Sequence, residues 1–209
     1  MLFRSPADLK IIGTQFVTVG GDSKDIQDLV DVDVLSAGDQ MMYFDNGSYN
    51  VYIFDTSTYD EDYEVDYGPG FNDPEGLRAV RGVKPGEAYW FRSGTEKEIT
   101  LAGEVPDNTP IEVSGNDALS LVSMQRPMEI NIQDIHVEGV SVGDQLLFFD
   151  NGTYNVYLYD SSTYDEDYEV DYGPGWNDPE GLRATRTLKL GEGFWIRPKA
   201  ATVKISFPE

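Results

Sequence analysis

Cysteine is absent from the 209 residues, which excludes disulfides, thiolate metal sites and cysteine nucleophiles and leaves the redox compartment open. Histidine occurs once, at His136, so a Ser-His-Asp triad could exist at most once, and no Gly-x-Ser-x-Gly elbow accompanies it. Neither a phosphate loop nor a dinucleotide fingerprint is present. Basic residues are few, 15 against 38 acidic, for a formal charge of -23. Phosphate contacts need clustered Lys and Arg, so a nucleic-acid partner is excluded, and an anionic membrane surface is disfavoured for the same reason. No run approaches the roughly 20 apolar residues of a membrane span. The start, Met-Leu-Phe-Arg-Ser-Pro, lacks the apolar centre of a signal peptide, so an exported chain is expected to have lost its leader before residue 1.

Apolar material is nonetheless ample, at 40% hydrophobic and 12% aromatic, enough for a core. Residues 38 to 92 align without a gap to 143 to 197 at an offset of 105, with 40 identities in 55 positions. That period is domain-sized, so two tandem homologous domains are expected, 1 to 105 and 106 to 209, divided near Val105 to Pro110. Charge divides evenly: 8 basic and 20 acidic residues in the first half, 7 and 18 in the second, giving -12 and -11. Residues 1 to 37 match 106 to 142 only loosely.

Alternation at period 2 dominates, with no sustained period of 3.6. Val30, Val32 and Val34 alternate with Asp31 and Asp33 and predict a strand. Asp45-Asn46-Gly47 and Asp150-Asn151-Gly152 predict hairpin turns. Further strands are expected at Leu9 to Val19, Leu77 to Lys84, Ala88 to Arg92 and Ile99 to Ala102. The fold class is all-β, a β-sandwich or barrel-like domain in each half.

Gly-Asp-Gln, an aromatic hairpin, Gly175-Trp176, Leu188 to Arg197 and a closing strand Val203 to Phe207 resemble β-rich modules of exported bacterial surface proteins. The first half carries its equivalent as Val83 to Arg92. The resemblance implies an extracellular or cell-surface setting and no catalytic residue.

The segment Ser57 to Gly70 recurs unchanged at Ser162 to Gly175. Read as a strand, it places Asp60, Asp62, Glu64 and Asp66 on one face, as it does Asp165, Asp167, Glu169 and Asp171 in the second copy, with Glu61 among the residues opposite. Side chains two apart lie about 7 Å apart, where each like-charged pair costs about 0.6 kcal/mol in water. A calcium ion, which takes oxygen ligands, would relieve this, on a strand or on a loop closed by Gly68-Pro69-Gly70. The spacing is not that of an EF-hand. Two other readings stand beside calcium: cross-strand pairing with Arg78, Arg81 and Lys84 (Arg183, Arg186 and Lys189), and edge protection.

Aromatics crowd the same region: Tyr43, Tyr49, Tyr52, Phe54, Tyr59, Tyr63, Tyr67, Phe71, Tyr89 and Trp90. They suit either a β core, with Trp90 and Trp195 as anchors, or glycan stacking. Asn46-Gly-Ser48 and Asn151-Gly-Thr153 fit both a glycosylation site and a hairpin turn. The expectation is a non-enzymatic exported structural or surface protein, a self-assembling fibre or surface-layer subunit with calcium-stabilised acidic segments. The alternatives are a tandem carbohydrate-binding module and a carboxylate-dependent glycoside hydrolase.

Overall fold

A computed structural model describes residues 2–5, 9–60 and 62–208. Among them the protein is all-β with several separate sheets, its helical elements being three-residue 3-10 turns. No helix is long and apolar enough to cross a membrane.

Each half builds an antiparallel five-stranded sheet of the same order. In the first it runs Leu9–Gly13, Ala88–Arg92, Gln40–Asp45, Ser48–Asp55, Gly70–Asn72; in the second, Ser120–Ser123, Gly193–Arg197, Gln145–Asp150, Thr153–Asp160, Gly175–Asn177. The two long strands of each sheet join through the expected tight turn, where Asp45 faces Ser48 and Asp150 faces Thr153. Both turn residues need positive φ, which Asn46 (51°) and Gly47 (83°) supply, as do Asn151 (50°) and Gly152 (85°).

One face of each sheet closes on its own core. Met41, Tyr43, Phe71, Tyr89 and Phe91 meet Ile26 and Ile99 in the first half, and Leu146, Phe148, Trp176, Phe194 and Ile196 meet Ile132, Val203 and Ile205 in the second. Ile99 belongs to Lys97–Thr100, which pairs with Leu2–Ser5. In the second half Thr202–Ser206 lies between Ile111–Ser114 and His136–Glu138. The other face of each sheet meets the other half. Ile11, Ala88, Trp90, Leu121 and Trp195 form a third cluster, flanked by Met42, Phe44, Leu147 and Phe149. A strand buried on both faces loses its alternation, which is why Ala88 to Phe91 and Gly193 to Ile196 read as unbroken buried runs.

Backbone bonds also cross between the halves: Gly13 N–H donates to Gly191 O at 2.9 Å, and Ser123 N–H to Gly86 O at 2.8 Å. The approach is close enough that a Cβ on Gly193 would sit 2.5 Å from Ile11 Cγ2 and 2.6 Å from Ala88 Cβ.

One expected strand is absent and another is cut short. Val32–Val34 is a 3-10 turn, because the Asp31 carboxylate accepts the Asp33 N–H and caps a local fold that needs no sheet partner. Within Leu77 to Lys84 only Gly82–Val83 pairs as a strand, with Lys24–Asp25.

Candidate functional site

The acidic repeat is a hairpin rather than one strand. Tyr59–Asp60 pairs with Val65–Asp66, Tyr59 opposite Asp66 and Asp60 opposite Val65, and the chain reverses through Glu64 at φ 53°. Paired residues share a face, so Asp60 and Asp66 lie on opposite faces and the single row of four carboxylates does not form. Glu61 lies outside the described residues. The second copy repeats the arrangement: Tyr164 opposite Asp171, Asp165 opposite Val170, Glu169 at φ 52°.

Hydrogen bonds close each hairpin at both ends. Asp60 accepts from the N–H groups of Asp62 (3.0 Å) and Tyr63 (3.2 Å), which fixes the turn. Asp66 accepts from Gly68 N–H and Ser57 Oγ, both at 2.8 Å, and these bonds hold its carboxyl below the ordinary 3.8. Asp165 and Asp171 do the same with Asp167, Tyr168, Ser162 and Gly173; Ser162 is the larger cause of the lowered Asp171 carboxyl. The base is locked by fully buried Thr58 and Thr163, which donate to Gly68 O and Gly173 O and accept from Arg78 (2.7 Å) and Arg183 (2.8 Å).

The expected basic cluster therefore does other work than neutralising an acidic row. Arg78 and Arg183 lie over the rings of Tyr67 (4.7 Å) and Tyr172 (4.6 Å). Arg81 bonds Asp45 at 2.8 Å, stands 3.5 Å from Glu87 and covers the Tyr43 ring at 4.0 Å. Arg186 bonds Asp150 and Glu192 over Phe148. Lys84 and Lys189 are exposed.

Of the proposed metal ligands, Asp60 and Asp62 line an open groove of about 460 Å³ with Tyr52, Asp73, Glu75 and Arg78, while Glu64 and Asp66 are not part of that lining. Among the described residues no three acidic or histidine side chains converge as a metal-holding group. His136 rims a separate hollow of about 330 Å³ with Asp134, Tyr159 and Trp176, whose lining holds no serine or threonine.

The aromatics divide into two sets. Tyr43, Phe54, Phe71, Tyr89 and Trp90 are buried, and burial pushes the Tyr43 and Tyr89 hydroxyls far up. The hairpin tyrosines face solvent: Tyr63 is 73% exposed and Tyr168 72%, with Tyr59, Tyr67, Tyr164 and Tyr172 about half exposed. Asn46 and Asn151 stand exposed at their turns.

No family model, curated protein or solved structure matches this chain. What positions the hairpins must therefore be read from the residues themselves.

One such residue escaped the sequence reading. Gln27 accepts the Phe71 N–H (2.8 Å) and donates to the carbonyls of Phe71 and Ala79 (2.9 Å each), pinning the strand that follows the hairpin. Gln133 makes the same three bonds to Trp176 and Ala184. Its signal was the triplet Ile-Gln-Asp at 26–28 and 132–134, an offset of 106 rather than 105.

Proposed function

We propose that the chain is a non-enzymatic recognition protein of the cell exterior, built as two β-sandwich modules, 1 to 105 and 106 to 209. In this reading each acidic hairpin is one copy of the same contact surface. The observation that carries it is the exposure of Tyr63 and Tyr168, at 73% and 72%, on two hairpins of identical sequence whose turns and bases are pinned by hydrogen bonds. Large rings held in water on a rigid support contribute nothing to the core and suit a partner that covers them. Two such surfaces on one chain give bivalent attachment, in which the second contact is made at the effective concentration set by the first.

The exported setting follows from the resemblance to surface β-rich modules. Calcium enters as a counterion for the outward carboxylates of Asp60, Asp62, Glu64 and Asp66 and of Asp165, Asp167, Glu169 and Asp171, since the hairpins close through their own hydrogen bonds. Self-assembly into a fibre would need such a cation to bring together copies that each carry -23.

The test is a comparison of the natural chain with a Tyr63→Ser, Tyr168→Ser double variant on arrays of glycans and peptides. The proposal expects binding that disappears in the variant. Binding indifferent to both tyrosines, or none, contradicts it.

A further inference from the structure

We infer that the partner of the two hairpins is an arginine-rich, cationic segment of another protein, an inference that rests on the recognition surface proposed above. Such a segment complements the hairpins in charge and in hydrogen bonding. Residues 60 to 66 hold five carboxylates, residues 57 to 77 hold no Lys or Arg, and the second copy is the same. Asp39, Asp45, Glu87, Asp117, Asp150 and Glu192 form ion pairs with Lys or Arg, and none of these six is a hairpin carboxylate. Ionised carboxylates only accept hydrogen bonds. A sugar brings acceptors as well as donors, and the carboxylates can serve only its donors. A guanidinium brings five donors and no acceptor.

The hairpin rings stand beside carboxylates. Tyr59 is paired with Asp66, and Tyr164 with Asp171, so each hairpin sets an aromatic ring and a carboxylate side by side on one face. A guanidinium fits that pair by stacking on the ring while bonding the carboxylate. The chain already uses this combination internally. Arg81 covers Tyr43 and bonds Asp45, and Arg186 covers Phe148 and bonds Asp150. At the hairpins themselves Arg78 and Arg183 lie on Tyr67 and Tyr172, which remain about half exposed. A second copy of this chain is the wrong partner, because it too carries -23.

Titration calorimetry on the full chain tests this, using an arginine-rich peptide, a lysine-rich peptide of equal length and charge, and a panel of uncharged oligosaccharides. The arginine peptide binds roughly fivefold or more tighter than the lysine peptide, because the planar cation stacks where the ammonium cannot. Its affinity falls as salt rises. The variant with Tyr59, Tyr63, Tyr164 and Tyr168 each changed to Ser stays folded by circular dichroism and no longer distinguishes the two peptides. Equal affinity for both peptides in the natural chain, or a preference that survives in the variant, overturns the inference. Tyrosine-dependent binding of an oligosaccharide without an arginine preference overturns it too while leaving the two-surface reading in place. If no probe binds in a way that depends on these tyrosines, both fall.

Discussion

Trp90 of the first half lies edge-on against Phe149 of the second, ring centroids 4.8 Å apart at 81°. The reciprocal contact, Trp195 against Phe44, has nearly the same geometry, 4.9 Å at 80°. Each half thus lends its tryptophan to the other's hairpin strand, in the manner of a two-fold symmetric dimer carried on one chain. The pair holds the two five-stranded sheets face to face, so the halves share a core as well as a linker.

Trp90→Ala removes one of the two tryptophans of that shared cluster and leaves a cavity that backbone contacts on both sides prevent from closing. The expected cost is about 3 to 5 kcal/mol. Urea unfolding followed by fluorescence checks it: the natural chain is expected to unfold in one transition because its halves share a core, and in the variant the midpoint falls and the transition separates into two.

Gln27→Leu keeps the volume but leaves the Phe71 N–H and the Ala79 carbonyl without this partner, while the Phe71 carbonyl keeps the Ala79 N–H at 2.9 Å. With about 1 to 3 kcal/mol for each buried group left unmatched and some relief from water, the expected loss is about 2 to 4 kcal/mol. Gln133→Leu costs a similar amount in the second half, and the two losses add because the sites do not share contacts. Equilibrium denaturation of the single and double variants measures both.

The pH dependence runs opposite to the usual one on the neutral side. Burial raises the Glu87 and Glu192 carboxyls above their ordinary 4.5, with Arg81 and Arg186 offsetting part of the effect. The folded chain then keeps protons that the unfolded chain releases from about 4.5 upward, so stability falls as pH rises through that interval. Asp66 and Asp171, held below 3.8, contribute above that value and lose their contribution as pH falls through it. Relief of the -23 charge acts in the same direction as the two glutamates. Calorimetric melting should therefore peak between these two windows, at about pH 4. The slope between there and neutrality becomes shallower in a Glu87→Gln, Glu192→Gln variant.

Millimolar calcium added to chelator-treated protein raises the melting temperature by about 2 to 4 °C, as about 1 kcal/mol of preferential binding would in a chain of this length. The rise is lost when Asp60, Asp62, Asp165 and Asp167 are changed to Asn. A melting curve unmoved by calcium removes the ion from the account.

Much of this architecture is legible in the residues because its signals are local. Asn46-Gly47 needs positive φ at both positions and makes a hairpin wherever it stands between strands, and Ala88 to Arg92 pairs as expected. Where competing local bonds exist, alternation misleads. Val30, Val32 and Val34 look like a strand until Asp31 caps a 3-10 turn. The acidic segment looks like one until the Asp60 carboxylate collects two backbone N–H groups and folds it back. The contact between the halves leaves a trace only in the missing alternation of Ala88 to Phe91, which a core inside one half would also explain. Which tyrosines are buried and which exposed depends on a fold-back that composition does not express.

If the two hairpins are equivalent, tyrosine-dependent binding surfaces, the chain holds two equivalent sites for an arginine peptide, and a variant altered in one hairpin holds one. Titration calorimetry on the full chain, natural and with Tyr164 and Tyr168 both changed to Ser, counts them. Two equivalent sites in the natural protein and one in the variant are expected. One site in the natural protein, or two in the variant, would show that the hairpins are not the binding surfaces.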